Sequence, residues 1–253
     1  MSEHILEHLS NIDRNMGGLI RAVGPYGLVL ESETQPFQAL AHAIAHQQLH
    51  AAAARNILTR FIGNVGNGVF PTPQVVIAAP EAALRAVGFS FSKIAALRDL
   101  ATKTLEGVVP DRRTLERLED AEIITRLTEV RGIGRWTVEM LLMFHLGRPD
   151  VLPVDDFGVR AGFQFTYGLR KMPAPKALAL YGERWGPHRS AAAWYLWRAC
   201  ELKRAGKLPQ PQEQVRLPRV LKRRRRPARP ASSPEKVATR KAAKKAKSTR
   251  AYK

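Results

Sequence analysis

Two apolar segments with helical spacing flank a pair of glycines, Gly132 and Gly134. Before the glycines, apolar side chains recur at positions 123, 124, 127 and 130, and after them they recur over residues 138–146. This periodicity predicts two helices joined by a tight turn, and glycine suits such a turn because it tolerates positive φ. Free amide groups at the start of the second helix would then form a site for an anion such as a phosphate. A Gly-x-Gly pair alone is also typical of ordinary interhelical turns.

A proline followed by two acidic residues lies further along the chain, with Asp156 twenty residues after Trp136. Pro153 prevents a preceding helix from continuing, and aspartate is a preferred N-cap of a following helix. In one interpretation Asp155 and Asp156 only cap that helix. In the other, a carboxylate is held at the helix start and faces a cleft beside the glycine turn.

Together these residues resemble the helix–hairpin–helix DNA glycosylases, which carry a Gly/Pro-rich loop and a downstream catalytic aspartate. The greatest similarity is to the monofunctional alkylpurine branch, that of 3-methyladenine DNA glycosylase II, in its short form without an N-terminal β-domain. The resemblance covers about residues 20–205. The strings that match are residues 45–50 (AHQQLH), 132–137 (GIGRWT), 150–156 (DVLPVDD) and 183–190 (ERWGPHRS).

The resemblance implies an enzyme that flips an alkylated purine out of duplex DNA and hydrolyses its N-glycosidic bond, leaving an abasic site for base-excision repair. The substrates expected are 3-methyladenine, 7-methylguanine and also 3-methylguanine. Asp156 is the expected catalytic residue, because a carboxylate stabilises the positive charge that develops on the deoxyribose. Asp155 is the alternative, since the two acids are adjacent. The ungapped match over residues 150–157 favours Asp156, with Asp155 as a helix cap or an outward-facing neighbour.

The implied base pocket is aromatic, because an N-alkylated purine is cationic and a tryptophan face attracts a cation. Trp136 is expected at the mouth of the cleft because it follows the hairpin, and Trp197 matches an aromatic pocket position of the relative, although a tryptophan in a terminal helix is also typical of plain core. Met140 stands where the relative has an aromatic residue, which predicts a looser pocket. In the bifunctional branch a lysine replaces Trp136 and forms a Schiff base, so we expect no strand cleavage here.

DNA contacts are also implied by the resemblance. The hairpin residues expected to hold phosphates are Gly132, Gly134, Arg135, Trp136 and Thr137. Gln48 is expected to fill the gap left by the extruded base, with His50 beside it and Leu49 as the competing wedge. No cofactor is expected, except a structural Na⁺ or K⁺ at the hairpin. By position its ligands would be the backbone carbonyls of Thr128, Val130 and Ile133.

The predicted fold class is all-α, with roughly ten helices in two lobes around a DNA-binding cleft. Residues 3–22 are predicted to be helical, with the glycines at 17 and 18 as a point where this helix could break. With a single cysteine, Cys200, the chain can form neither an intramolecular disulfide nor a four-cysteine iron–sulfur cluster.

Charge is concentrated at the C-terminal end of the chain, whose net charge is +19. Residues 208–253 hold 16 Lys and Arg against 2 Asp and Glu, whereas residues 1–207 hold 25 against 20. We therefore predict a glycosylase domain at 1–207 and a disordered basic tail at 208–253 that binds DNA without sequence specificity. The composition predicts no membrane span and no secretory signal.

The expected partner is double-stranded DNA containing alkylated bases, and the expected state is a monomer. The expected location is the bacterial cytoplasm, in association with the nucleoid, or the nucleus in a eukaryote, where the run at 222–226 (KRRRR) is typical of a nuclear signal. Two other functions stay open at this point. One is a non-catalytic helix–hairpin–helix protein that only binds DNA, and the other is a glycosylase for a different damaged base.

Overall fold

The computed structural model describes residues 2–218, apart from the side chain of Ser2. Within this range the chain forms helices and loops and no β-strand, which confirms the predicted all-α class. None of these helices is long and apolar enough to cross a membrane.

Thirteen α-helices follow one another along the described part of the chain. They are α1 Ser2–Ile12, α2 Arg14–Val23, α3 Pro36–His46, α4 Ala51–Arg60, α5 Pro73–Ala78, α6 Glu81–Ala86, α7 Phe91–Leu105, α8 Arg112–Glu116, α9 Asp120–Leu127, α10 Arg135–Met140, α11 Phe157–Thr166, α12 Pro175–Gly182 and α13 Arg189–Arg204. Short π-helical turns follow α4 at Phe61–Val65 and α10 at Leu141–His145, and a 3₁₀ turn follows α12 at Glu183–Trp185.

The helices form two groups that share one apolar core. In the first group α7 packs against α3, α5 and α6, and in the second α13 packs against α2 and α11. The π-helical turn after α10 contacts α3 and so joins the groups. Gly162 in α11 allows the closest contact, because a Cβ there would collide with the backbone of Leu196 in α13. This close packing brings the start of α11 beside the side chains of α13.

The N-terminal segment breaks at Asp13 rather than at the glycines. Asp13 has an extended backbone, and its side chain accepts a hydrogen bond from the amide of Met16, which makes it the N-cap of α2. Gly17 instead lies inside α2, where a Cβ would come within 3.2 Å of the Ser10 backbone. The prediction was wrong here because capping outweighed the cost of a glycine inside a helix.

The first residues of the predicted tail differ from the prediction of disorder. The amides of Gln212 and Glu213 both donate to Oδ1 of Asn15, at 2.7 and 3.1 Å. Leu208, Val215 and Leu217 pack against the core. A few apolar side chains and one buried asparagine therefore hold residues 208–218 in place. The rest of the predicted tail, residues 219–253, lies outside the described residues.

Candidate active site

The glycine turn joins α9 to α10 as a tight hairpin. Gly132 has a φ of +79°, which explains the requirement for glycine at this position. Gly134 is the N-cap of α10 with an extended backbone, and a Cβ there would meet no other atom within 4 Å. Gly134 is therefore not required by the protein's own packing, and the open space in front of it leaves room for another molecule to approach the backbone.

Helix α7 supports the hairpin from behind. The Asp99 carboxylate accepts a hydrogen bond from the amide of Arg131 at 2.7 Å, and Lys103 donates both to Asp99 and to the carbonyl of Glu129. Val130 and Ile133 are buried, at 1% and 4% exposure. These contacts fix the hairpin on both sides of Gly132.

Asp156 is the N-cap of α11 and lies at the centre of the site. Its Oδ1 accepts hydrogen bonds from the amide of Val159 at 2.7 Å and from the indole Nε1 of Trp197 at 2.8 Å. Its Oδ2 accepts from Nε1 of Trp136 at 2.8 Å. The structure thus joins Asp156 to both predicted pocket tryptophans.

Asp156 is both the helix cap and the carboxylate that faces the site, so both interpretations of the acidic pair apply to this one residue. Asp156, not Asp155, caps α11, and Asp155 is exposed to solvent beside it. The suggestion that Asp155 is the cap was wrong, whereas its description as an outward-facing neighbour matches the structure. Because one oxygen of Asp156 caps the helix, the carboxylate has a fixed orientation.

Gly158 and Phe144 determine the position of Trp197. A Cβ at Gly158 would lie 2.7 Å from Cδ1 of Trp197, so only glycine lets the indole reach Asp156 across the first turn of α11. On the other side the Trp197 ring stacks on Phe144, with centroids 5.7 Å apart. Neither Phe144 nor Gly158 was among the predicted site residues. Its place two residues after Asp156 was the one sequence signal that could have indicated a role for Gly158. The close approach of Trp197 to Gly158 could not be predicted, because it depends on how α13 packs.

A cavity of about 590 Å³ opens between the end of α3 and α10. Trp136, Thr137 and Met140 line one side, and Leu40 and Ala43 line the other. Trp136 is 47% exposed, so its indole spans the space between this cavity and Asp156. Trp197 and Asp156 are not among the lining residues, which places Trp197 at the carboxylate rather than in the cavity wall.

Histidines and glutamines line the rim of this cavity, and among them only Gln48 was a predicted site residue. His46, Gln47 and Gln48 lie on one part of the rim and His145 on another, where its Nδ1 contacts the carbonyl of Glu31 at 3.3 Å. His42 lies one turn before His46 on α3, and its pKa is lowered by burial and by the charge of His46. The stretch at residues 45–50 was singled out from the sequence, but His42 and His145 were missed because helical periodicity does not indicate which helices meet.

The predicted wedge residues lie in the exposed loop between α3 and α4. Gln48 has a φ of +56°, which is uncommon for a residue with a side chain. Leu49 is 41% exposed, and His50 is the N-cap residue of α4 without a side-chain capping bond. Gln47, which precedes them, donates from Nε2 to the carbonyl of Gly132 at 2.8 Å. The loop is therefore bonded directly to the hairpin.

A second carboxylate lies close to the site and was not predicted. Glu139 is 2% exposed and accepts a hydrogen bond from Nε of Arg135 at 2.8 Å, while Arg135 extends into solvent. Burial raises the pKa of Glu139, Arg135 lowers it in part, and the charges of Asp155 and Asp156 raise it. The spacing of four residues between Arg135 and Glu139 was the sequence signal for this pair.

The cation ligands predicted at the hairpin stay a prediction. The carbonyl of Val130 accepts the amide of Ile133 at 3.0 Å, and a carbonyl oxygen keeps a second lone pair that could face an ion. Among residues 2–218 no group of three or more His, Cys, Asp or Glu side chains could hold a metal ion.

Residues 41–188 match the model of the HhH-GPD superfamily of base excision DNA repair proteins. The chain is 43% identical to DNA-3-methyladenine glycosylase 1 of Schizosaccharomyces pombe over 196 residues, which are 77% of this chain and 86% of the relative. A solved structure of the 3-methyladenine DNA glycosylase of that organism in complex with abasic DNA superposes with a TM-score of 0.71 and 41% identity, covering 79% of this chain and 97% of the other. A DNA-3-methyladenine glycosidase from Bacillus halodurans gives a TM-score of 0.74 at 33% identity, covering 81% of this chain and 94% of the other.

Proposed function

The chain belongs to the HhH-GPD superfamily of base excision DNA repair proteins, and we propose that it is a monofunctional glycosylase for alkylated purines. It acts on duplex DNA, excises the alkylated base by hydrolysis of the N-glycosidic bond and leaves an abasic site. The substrates proposed are 3-methyladenine and 7-methylguanine. The observation that carries the proposal is the convergence of Trp136 and Trp197 on the Asp156 carboxylate.

Recognition of the lesion requires that the base leave the stack. The exposed loop with Gln48 enters the minor groove, and the hairpin amides at Gly132 and Gly134 hold the backbone beside the lesion. The cavity of about 590 Å³ receives the flipped base, and Trp136 lies where its ring contacts a base entering that cavity. A cationic alkylated purine gains from the aromatic face, whereas a neutral purine gains less.

The chemistry depends on a carboxylate of fixed orientation. As the glycosidic bond breaks, positive charge develops on the deoxyribose, and the ionised Asp156 stabilises it. The same carboxylate orients or deprotonates the attacking water. Hydrogen bonds from Val159, Trp136 and Trp197 keep Asp156 in place, so little reorganisation is needed during the reaction.

The absence of lyase activity is part of the proposal. The position after Gly134 and Arg135 carries Trp136, whose indole has no amine to attack the sugar. The two lysines described at the site are engaged elsewhere: Lys93 donates to the carbonyl of Ala45 at 2.7 Å, and Lys103 donates to Asp99 and to the carbonyl of Glu129. Borohydride should therefore trap no covalent DNA complex. A trapped complex would contradict this part of the proposal alone.

The decisive experiment measures release of methylated bases from alkylated duplex DNA. Wild type should release 3-methyladenine and 7-methylguanine, and Asp156→Asn should bind the DNA without releasing them. If wild type binds DNA but releases no base, the protein is a binding module. If it releases only a deaminated or oxidised base, the lesion assignment is wrong.

Further proposals concern an ion, the assembly and the location. We propose that the carbonyls of Thr128, Val130 and Ile133 would hold Na⁺ or K⁺, which would supply positive charge beside a DNA phosphate. DNA affinity in matched Na⁺, K⁺ and tetramethylammonium buffers tests this. We also propose that the protein acts as a monomer, which light scattering tests.

Its proposed location is the nucleoid in a bacterium or the nucleus in a eukaryote, which fluorescence microscopy tests.

A further inference from the structure

The loop between α3 and α4 is held in an uncommon conformation at its most exposed point. Gln48 has a φ of +56°, and a side chain in this region is strained by roughly 1 kcal/mol or more unless its surroundings hold it. The backbone contributes a turn in which the amide of Leu49 donates to the carbonyl of His46 at 3.2 Å. This bond lies within the loop, so it does not fix the position of the loop relative to the rest of the site.

Two side-chain hydrogen bonds fix the base of this loop. Lys93, at the start of α7, donates from Nζ to the carbonyl of Ala45 at 2.7 Å. Gln47 donates from Nε2 to the carbonyl of Gly132 at 2.8 Å, across 85 positions of sequence. Only the amide nitrogen of Gln47 can pair with a carbonyl oxygen, so the direction of this bond follows from chemistry.

The peptide group between Gly132 and Ile133 is bonded at both ends. Its carbonyl accepts from Gln47, and its N–H donates to the carbonyl of Val130 at 3.0 Å. Gly132 has a φ of +79° and no side chain, so packing of its own side chain cannot hold this part of the hairpin. The Gln47 bond therefore orients the hairpin as well as the loop.

We propose that Gln47 is a positioning residue that couples the minor-groove loop to the phosphate-binding hairpin. The inference rests on the proposed function. In this arrangement Gln48 and the hairpin amides keep a fixed separation, so gripping the backbone places Gln48 at the gap left by the extruded base. Gln47 also lines the cavity that receives the base, between the two elements that it joins.

The consequence is kinetic. If Gln47 fixes the separation of loop and hairpin, its loss should slow base extrusion more than it weakens binding to undamaged DNA. A hydrogen bond of this kind should change the extrusion-limited rate by about 10-fold. Because Gln47 acts through Gln48, its loss should matter less when the Gln48 side chain is already absent.

The test uses Gln47→Met, which keeps the length but removes the donor, and Gln47→Glu, which places an oxygen against the Gly132 carbonyl. Matched controls are Gln74→Met and Gln74→Glu, at an exposed glutamine of α5 outside the cavity and the hairpin. The readouts are the single-turnover release of 7-methylguanine, the fluorescence of 2-aminopurine beside the lesion, the Kd for undamaged duplex and the Tm.

Gln47→Met should lose about 10-fold in release rate and in the rate of the fluorescence change, with Kd and Tm close to wild type. Gln47→Glu should lose at least as much in both rates and should also bind DNA less tightly, because its charge lies beside the phosphate-binding hairpin. The loss should shrink in a Gln48→Ala background. For Gln47→Met, a wild-type release rate, a loss that is simply additive with Gln48→Ala, or a 10-fold weaker Kd together with a lower Tm would each overturn the inference. If wild type itself releases no base, the proposed function fails, and the fluorescence readout still tests the coupling.

Discussion

Two aspartates, Asp13 and Asp156, are built in nearly the same way and face different surroundings. Each is a helix N-cap whose Oδ1 accepts from an amide three residues later, at 3.0 Å for Asp13 and 2.7 Å for Asp156. Each also accepts a hydrogen bond from a tryptophan indole. At Asp13 the donor is Trp185, at 3.1 Å, and at Asp156 the donors are Trp136 and Trp197.

The difference is in what closes each site. Asp13 is 1% exposed, because Tyr167 and Tyr181 also donate to its Oδ2, at 2.6 and 3.1 Å. At Asp156 the corresponding side is occupied by Trp136, which is 47% exposed. A carboxylate that is fully buried, or sealed, only holds helices together, whereas a carboxylate covered by an exposed indole is accessible to a substrate. Access, rather than the set of donors, separates the structural aspartate from the candidate catalytic one.

Replacement of Asp156 should give the largest effect. Asp156→Asn removes the charge but retains an oxygen that can cap α11, so we expect base release to fall by about 10²–10³-fold with little change in Tm. The measurement is single-turnover release of 7-methylguanine. Asp155→Asn, at the exposed neighbour, is the matched control and should stay near wild type; a reversal of the two results would move the catalytic role to Asp155.

Replacement of Asp13 should affect stability instead. Asp13→Asn retains an oxygen for the Met16 amide but places an amide nitrogen where Tyr167, Tyr181 and Trp185 require an acceptor, so the free energy of unfolding should fall by about 3 kcal/mol. Urea unfolding measures it, and activity per folded molecule should be retained. Asp111→Asn, at the exposed N-cap of α8, removes a similar charge without a buried network and should cost much less. Equal losses would mean that burial is not what distinguishes Asp13.

A methyl group at Gly158 should lower the release rate by displacing Trp197. The added Cβ would lie 2.7 Å from Trp197, which must then move away from Asp156. We expect a loss of about 10-fold in release rate and also a lower Tm, because an overpacking cost of about 1–3 kcal/mol exceeds the helix-propensity gain of up to about 1 kcal/mol from alanine. Gly63→Ala is the control, since a Cβ there meets nothing within 4 Å. An unchanged rate would show that the Trp197 contact is dispensable.

The sealed site should also show an alkaline pH dependence of moderate size. Burial raises the pKa of Tyr167 well above 10.0, and the charge of Asp13 acts in the same direction. In the unfolded chain tyrosine ionises near pH 10, so stability is fully present below about pH 10 and falls as the pH rises beyond it. Tyr167→Phe removes this titration, and its Tm should decline less between pH 9 and 11. Parallel declines would contradict the assignment.

Much of the fold and part of the site could be predicted from the sequence. Helical periodicity around Gly132 and Gly134 predicted the hairpin, because apolar spacing and glycine turns are local properties. The resemblance named Asp156, Trp136 and Trp197, and the structure brings these three together, although their roles stay predictions. The boundary between α1 and α2 at Asp13 could also have been predicted, since aspartate is a common N-cap residue.

Other features follow only from tertiary structure. The bond between Gln47 and Gly132 joins residues 85 positions apart, and no spacing indicates which helix ends meet. Residues 208–218 have little apolar periodicity, so the sequence did not predict an ordered segment. They are held by hydrogen bonds to Asn15, which lies almost 200 positions earlier in α2.

The sequence by itself determined the helices, the hairpin and the residue types available for chemistry. The tertiary structure decided which aspartate was sealed and which stayed open. Exposure depends on how α11 and α13 pack on their neighbours, and that packing is a property of the whole core rather than of any local segment.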